Sequence, residues 1–425
     1  MASCTCSQVG VSRGGGPAKA CESGELFVGH GEGNDEKSTF GTTALATAGL
    51  IAGVAGDAAA AERIKIEVHG YMQQFVVGLD QDFNDTDAGR TPQGYKAAVI
   101  DEKMNPEICF VGETTLDNGI TVGVNVQLEG QLAPTDYIDE QYMYLESKSF
   151  GKLILGSENN AAYLLKVGAP DGGISVDSGD VINNSFYINT AISDFFDTPA
   201  GTTALRNNDN DSQKIMYFTP RFAGFQAGLS YAPKLQPGGG DGNSPDVSVG
   251  GAGNGSGQHN AWAGGLNYTT KFGAFDVAAY GGLHWAKETA ELNGGGDDGY
   301  MFAWGTGAQI GFAGFSVGGS YHDVQEGMRT TTTSMEGSSY ALGAAYEVGP
   351  YLVGVQWIDG DNEGAIADPS DQNHQTLAVS GSYTMGPGVR LVGGFFWFDD
   401  EAEDTVATQS DTDGWGLTAG FKVSF

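Results

Sequence analysis

The chain has 425 residues with 68 Gly, 40% hydrophobic residues, and 20 Lys+Arg against 53 Asp+Glu, for a formal charge of -33. So acidic a balance excludes a nucleic-acid partner, because phosphate contacts are carried by Lys and Arg. Glycine is roughly twice its usual ~7% share, but it has no three-residue period and is interleaved with Val, Leu, Tyr, Phe and Trp, so collagen and low-complexity chains are excluded as well.

Residues 1–36 are Gly-rich and acidic and read as a mistaken translation start or a non-structural extension. They hold Cys4, Cys6 and Cys21, far from the lone Cys109, so no disulfide framework is expected. Residues 37–61 begin with Lys37, continue through an apolar run broken by Gly and Asp57, and end in the small residues Ala59 and Ala61. That order describes a cleaved secretory signal, with cleavage after Ala61, and not a membrane anchor. An Ala-rich soluble helix is the alternative, weakened by Gly49, Gly53 and Gly56.

Beyond Ala61 no stretch supplies the ~20 apolar residues of a spanning helix, so any membrane span must be a strand. Strands are expected at 64–79, 107–116, 119–129, 138–148, 151–157, 212–219, 224–233, 258–271, 275–288, 299–312, 315–323, 338–348, 351–359, 374–385, 389–399 and 413–425. The last is the clearest: Trp415, Leu417, Ala419, Phe421, Val423 and Phe425 alternate with Gly, Thr, Lys and Ser. All six Trp fall on the apolar parity of their segments, and the opposite parity is polar or Gly, too small to pack a second sheet. Connections alternate between short turns such as Ala313-Gly314 and long Asp- and Gly-rich loops such as 80–106. This implies a 16-stranded antiparallel transmembrane β-barrel over 62–425, greasy side to lipid and hydrophilic side to a water-filled interior.

The start Ile64-Lys-Ile-Glu-Val-His-Gly-Tyr-Met-Gln-Gln, the strand Phe150-Gly-Lys-Leu-Ile-Leu-Gly156 and the ending Gly-Phe-Lys-Val-Ser-Phe425 resemble the Gram-negative general porins, most of all the alphaproteobacterial group. The resemblance implies a bacterial outer-membrane location, a homotrimer, and a terminal strand of the kind read by the outer-membrane assembly machinery. It also implies passage of small hydrophilic solutes and ions, with outer-membrane lipid and lipopolysaccharide as partners.

The connection 158–211 is the longest and carries Ile174, Val181, Phe186, Tyr187, Phe195 and Phe196, so it must pack on something. It is expected to fold inward as a constriction loop; an extracellular cap over the mouth is the alternative. Asp171, Asp177, Asp180, Asp194 and Asp197 are its candidate pore-lining acids. By parity the inward basic residues are Lys65, Lys214, Arg390 and Lys422, with all but Lys214 near the periplasmic end. Glu67, His69, Glu113, Asn125, Gln127, Asp276 and His284 are read as inward at mid-height. Facing carboxylates attract cations over about a Debye length, so the expectation is a cation-preferring, otherwise weakly selective channel.

Three other readings compete. A substrate-specific porin would stack a sugar or other small solute on Tyr163, Phe186, Tyr187, Phe195 and Phe196. A secreted calcium-binding β-protein or adhesin draws on Asp359, Asp361, Glu363 and Gly364, but Ser370 stands where an EF-hand needs Glu. An enzyme is not expected, on the reading that G-x-S-x-G, P-loop, HExxH and Cys-x-x-Cys signals are missing after Ala61. No catalytic residue, cofactor or defined metal site is assigned; loosely bound Ca²⁺ at the acidic loops is the one ion considered.

Overall fold

The computed structural model describes residues 63–84, 97–130, 138–177, 179–183, 185–188, 199–205, 209, 212–235, 258–288, 299–326, 336–363, 371–401 and 411–425. The expected extension and signal, and Asp194 and Asp197, lie outside them. The strands are β1 (Lys65–Asn84), β2 (Ala97–Thr115), β3 (Thr121–Glu129), β4 (Gln141–Ser147), β5 (Gly151–Ser157), β6 (Gln213–Phe218), β7 (Phe225–Lys234), β8 (Gln258–Phe272), β9 (Phe275–Glu288), β10 (Gly299–Phe312), β11 (Phe315–Glu326), β12 (Gly337–Val348), β13 (Tyr351–Glu363), β14 (Asp371–Gly386), β15 (Val389–Glu401) and β16 (Asp411–Ser424). Each pairs antiparallel with its sequence neighbours, and β16 closes on β1, so the barrel has no free edge. Closure extends to the terminal residue: Gly70 and Phe425 exchange two backbone hydrogen bonds, both 3.0 Å.

The sixteen strands are those expected from the alternation, with one large difference. The first hairpin is taller than the expected 80–106 loop allows, because β1 runs to Asn84 and β2 starts at Ala97. The β1 extension is polar, and that of β2 passes from Ala97-Ala98-Val99-Ile100 straight into Asp101-Glu102-Lys103; neither alternates, so they carry no period to read, and the ladder continues above the apolar band with Asp80 opposite Ala98. The short turns follow local stereochemistry. Ala313 and Gly314 both have positive φ (51° and 85°), the two-residue hairpin turn whose twist matches its strands.

One parity of each strand forms an outer face with two aromatic rows. Near the turns, Phe225 pairs with Tyr268 (4.4 Å between ring centroids), Phe275 with Phe312 (4.8 Å), Phe315 with Tyr346 (4.2 Å) and Tyr351 with Tyr383 (5.1 Å). Near the loops, Tyr231 pairs with Trp262 (4.6 Å), Trp304 with Tyr321 (5.2 Å) and Tyr340 with Trp357 (5.2 Å). On β9 these rows are Phe275 and Trp285, with Val277, Ala279, Gly281 and Leu283 between them. At about 3.3 Å per residue and a tilt near 40°, the separation is about 25 Å, the height of an outer-membrane apolar band.

The expectation that the greasy side of every strand faces lipid needs correction. Phe75, Val77 and Leu79 on β1, and Val392, Phe396 and Phe398 on β15, have the inward parity and are fully or almost fully buried. In the sequence they hide among lipid-facing neighbours, giving runs such as Phe395 to Phe398 that are apolar on both parities. Their apolar surface is covered by the connection between β5 and β6.

Leu417 lies on the outer face between Trp415 and Phe421. Leu417→Arg is expected to cost about 2–4 kcal/mol in lipid vesicles, read by urea unfolding, as for an Arg at mid-bilayer depth. An unchanged unfolding midpoint would mean that this face does not meet hydrocarbon.

Candidate functional site

The connection 158–211 contains two single-turn helices, α1 (Ala161–Leu164) and α2 (Asp180–Asn183), and a 3-10 turn at Pro199–Gly201. Asn160 caps α1 by accepting from Tyr163 N at 2.9 Å, and its side-chain amide donates to Leu205 O at 2.6 Å, tying the outgoing and returning arms together. The outgoing arm follows inward-facing side chains around the wall. Asn267 on β8 donates to Leu165 O (3.0 Å), Gln356 on β13 to Ala169 O (2.8 Å), and Ser380 on β14 accepts from Ile174 N (3.2 Å). At the far end Gln81 on β1 accepts from Ile188 N at 3.1 Å. Two apolar clusters accompany the track. Leu165, Val167 and Leu205 pack with Tyr142, Met216 and Tyr280; Ile174, Val181 and Phe186 pack with Phe75, Ile358 and Phe396.

Small residues on the wall make so close an approach possible. A Cβ on Gly343 would overlap Pro170 O, and one on Gly307 would overlap Val167 O. On Gly354 it would stand 2.7 Å from Asp171 C, and on Gly360 2.5 Å from Ala200 O, all inside ordinary contact distance. Glycine supplies here a surface on which backbone can lie against backbone.

The three candidate acids of the segment that lie among the described residues, Asp171, Asp177 and Asp180, are hydrogen-bonded anchors. Asp171 accepts from Gly173 N at 2.5 Å. Asp177 accepts from Lys166 Nζ (2.8 Å), Thr203 N (2.8 Å) and Thr203 Oγ1 (2.5 Å). Asp180 accepts from Ser175 N (3.0 Å) and from Lys422 Nζ on β16 (2.8 Å). Burial alone would push the Asp177 carboxyl up, but Lys166 and the Thr203 hydrogen bonds outweigh it and hold the group below its ordinary value.

Other positions differ from the sequence reading. Lys214 does not face open water: it is buried, donates to Glu158 O (2.5 Å) and Ser212 O (2.9 Å), and pairs with Asp209 at 3.1 Å. Glu67, Glu113 and Asp276 are inward but not at mid-height. Glu113 is opposite Lys65 near the β2–β3 turn, Glu67 is two residues along, and Asp276 pairs with Lys271 (3.3 Å) beside the β8–β9 turn. Arg390 is opposite Lys422 at the same end. His284 is buried 3.4 Å from Asp209 under the segment, and Asn125 donates to Tyr142 Oη at 3.0 Å. Among the described residues, inward lysines that the sequence reading does not name include Lys103, Lys152 and Lys271. Lys152 could have been found, since Leu153 and Leu155 fix the outward parity of β5; Lys103 could not, because its stretch was read as loop.

Phe186 and Tyr187 do not form a row open to solute. Phe186 packs edge-on to Phe75 (5.0 Å), and Tyr187 stacks on Phe398 (3.8 Å). The reading that no G-x-S-x-G string is present needs correction: Gly314-Phe-Ser-Val-Gly318 has that spacing, but it opens β11 across a hairpin from β10 and not at the strand-to-helix turn a nucleophile elbow requires.

A closed sixteen-stranded barrel with two outer aromatic rows and a polar, charged interior is an outer-membrane channel barrel. The chain belongs to the Gram-negative porin family, whose sequence profile matches residues 41–403. Among solved structures, the anion-selective porin from Comamonas acidovorans is 16% identical, with TM-score 0.55, covering 85% of this chain and 100% of its own. The trimer form of in-vitro folded OmpT, an outer membrane protein of Vibrio cholerae, is 11% identical, with TM-score 0.51 and coverages of 86% and 100%. Salmonella typhi OmpF in complex with daunomycin is 13% identical, with TM-score 0.50 and coverages of 85% and 98%. At such identities the likeness shows the fold alone. No curated protein sequence matches the chain. The family assignment replaces the adhesin reading.

Two outcomes follow for the segment. Gly343→Ala is expected to push Pro170 off the wall toward the channel axis and lower single-channel conductance in planar bilayers; unchanged conductance would remove the close contact as a determinant. A carboxyl held below its ordinary value contributes stability that is complete above the unfolded value, ~3.9, and is lost as pH falls through the native one. Open-channel current noise should therefore rise in acid below that range, and Asp177→Asn should show the raised noise at pH 7.

Proposed function

We propose that the protein is a general diffusion channel for small hydrophilic solutes and ions with a preference for cations, and that the segment 158–211 narrows its lumen. The observation that carries the preference is the pairing of the basic side chains the segment meets. Lys166, Lys214 and Lys422 each lie against an aspartate, Asp177, Asp209 and Asp180. Their charge is neutralised locally, while the chain as a whole holds 53 acidic against 20 basic residues. Ions in the aqueous path then meet an excess of carboxylate, screened over about 8 Å at physiological salt.

A channel selective for one solute is less well supported, because Phe186 and Tyr187 are taken up by the wall. Among the described residues no catalytic constellation supports an enzymatic reading. We read the assembly as a homotrimer, by analogy with the trimer form of the Vibrio cholerae relative. The anion-selective Comamonas porin has a similar fold, so selectivity rests here on this chain's own charges.

Reversal potentials in a KCl gradient decide the matter. The cation-selective sign is expected, together with closure in three equal steps; the anion-selective sign would overturn the reading of the lumen.

A further inference from the structure

Three carboxylates from two parts of the chain converge on the inner wall at the loop end of β3. Glu107 comes from β2, and Asp139 and Glu140 immediately precede β4; one oxygen of each lies within 4.8 Å of the others. Backbone pairing fixes the arrangement, since Gln127 N donates to Glu140 O (2.8 Å) and Asp139 N donates to Gln127 O (3.0 Å). The side chains are preset too. Glu107 Oε1 accepts from Cys109 Sγ at 3.4 Å, and Glu140 Oε1 accepts from Asn159 Nδ2 at 2.9 Å.

Acidic clusters are common and prove nothing by number. Two further observations point to a ligand. Glu107 is 1% exposed, and its Oε2 meets no hydrogen-bond donor. Gln127 is 0% exposed, and neither its amide oxygen nor its amide nitrogen has a hydrogen-bond partner. Gln127 stands opposite Cys109, two residues along the same face from Glu107, and its backbone pairs with Asp139 and Glu140, so it shares the inner face with the carboxylates. A buried carboxylate oxygen and a buried amide oxygen left without partners are both costly, and a cation between them would satisfy these two acceptors.

We propose that Glu107, Asp139 and Glu140, with the amide oxygen of Gln127, form a divalent-cation site suited to Ca²⁺. All four donors are hard oxygens, as Ca²⁺ and Mg²⁺ require. Oxygens on opposite sides of one ion stand at most about twice the bond length apart, about 4.6–5.2 Å for Ca²⁺ and about 4.0–4.2 Å for Mg²⁺. The carboxylate oxygens lie within 4.8 Å of one another, close enough for one ion to bridge, and the choice of Ca²⁺ rests on the donors: they are buried protein oxygens, whereas Mg²⁺ dehydrates reluctantly and usually keeps several waters. The ion would fasten the end of the connection between β3 and β4 to β2. Such a site is distinct from loose binding at outer acidic loops, because its ligands are buried and ordered by backbone pairing.

The test uses the folded full barrel in detergent, freed of metal by chelation. Calorimetric titration with CaCl₂, and thermal unfolding with and without EDTA, are compared for wild type, Glu107→Gln, Asp139→Asn and, as an outer-end control, Asp361→Asn. Glu107→Gln and Asp139→Asn are each expected to bind one Ca²⁺ fewer per chain than wild type and to lose the EDTA-induced fall in melting temperature. Asp361→Asn should behave as wild type, and Mg²⁺ should bind at least about tenfold more weakly than Ca²⁺ to the site. Should Glu107→Gln not fold, Asp139→Asn carries the comparison. Equal stoichiometry in wild type and both site variants overturns the proposal, as does an EDTA effect of the same size in all four proteins. Equal affinity for Mg²⁺ overturns the choice of ion.

Discussion

The interior of this barrel depends on backbone meeting backbone across glycine. Where Pro170, Asp171 and Ala200 lie on the wall, the strand residue beneath is Gly343, Gly354 or Gly360, and a single methyl group would lift the chain away. Dispersion falls off within an ångström, so contact at this distance gives the segment adhesion that longer side chains could not. The hydrogen bonds from Asn267, Gln356 and Ser380 then satisfy backbone groups that the approach removes from water. The glycine content, first a reason to suspect low complexity, is thus partly a docking surface.

Charge acts on two scales in the lumen. Close up, Asp180 and Asp209 fasten the segment to Lys422 and Lys214 of the wall, and Asp177 pairs with Lys166 inside the segment. Farther out, under the proposed function, it is the surplus of carboxylates that sets the potential mobile ions would feel. The same residue type serves both purposes, and only neighbours separate them. An aspartate in a loop sequence therefore cannot be assigned to the pore from its position alone.

Much of the fold was legible because lipid imposes a strict rule on one parity. All six Trp lie outward, and β9 and β10 begin and end where the alternation does. Legibility failed where that rule does not operate. Above the apolar band, β1 and β2 continue through Asp80–Asp82 and Asp101–Lys103 with no period to betray them. On the inner wall, Phe75 and Phe396 look like lipid-facing residues because an apolar segment stands in for lipid. Heights failed for a simpler reason: Glu67, Glu113 and Asp276 were assigned the right face, but position along the barrel axis depends on interstrand stagger, which a single strand does not encode.

The joint between β1 and β16 sets a kinetic problem for the molecule. Every other seam joins strands adjacent in the chain and can zip from its own turn or loop, whereas Tyr71 must find Ser424 after the whole ring has been laid down. Until then two unpaired rims of N–H and C=O groups are open to other chains, and closing so large a loop carries the steepest entropic cost of the assembly. Maturation is thereby an all-or-none event governed by its final seam, and a catalyst that holds the two rims near one another would act on the slowest step.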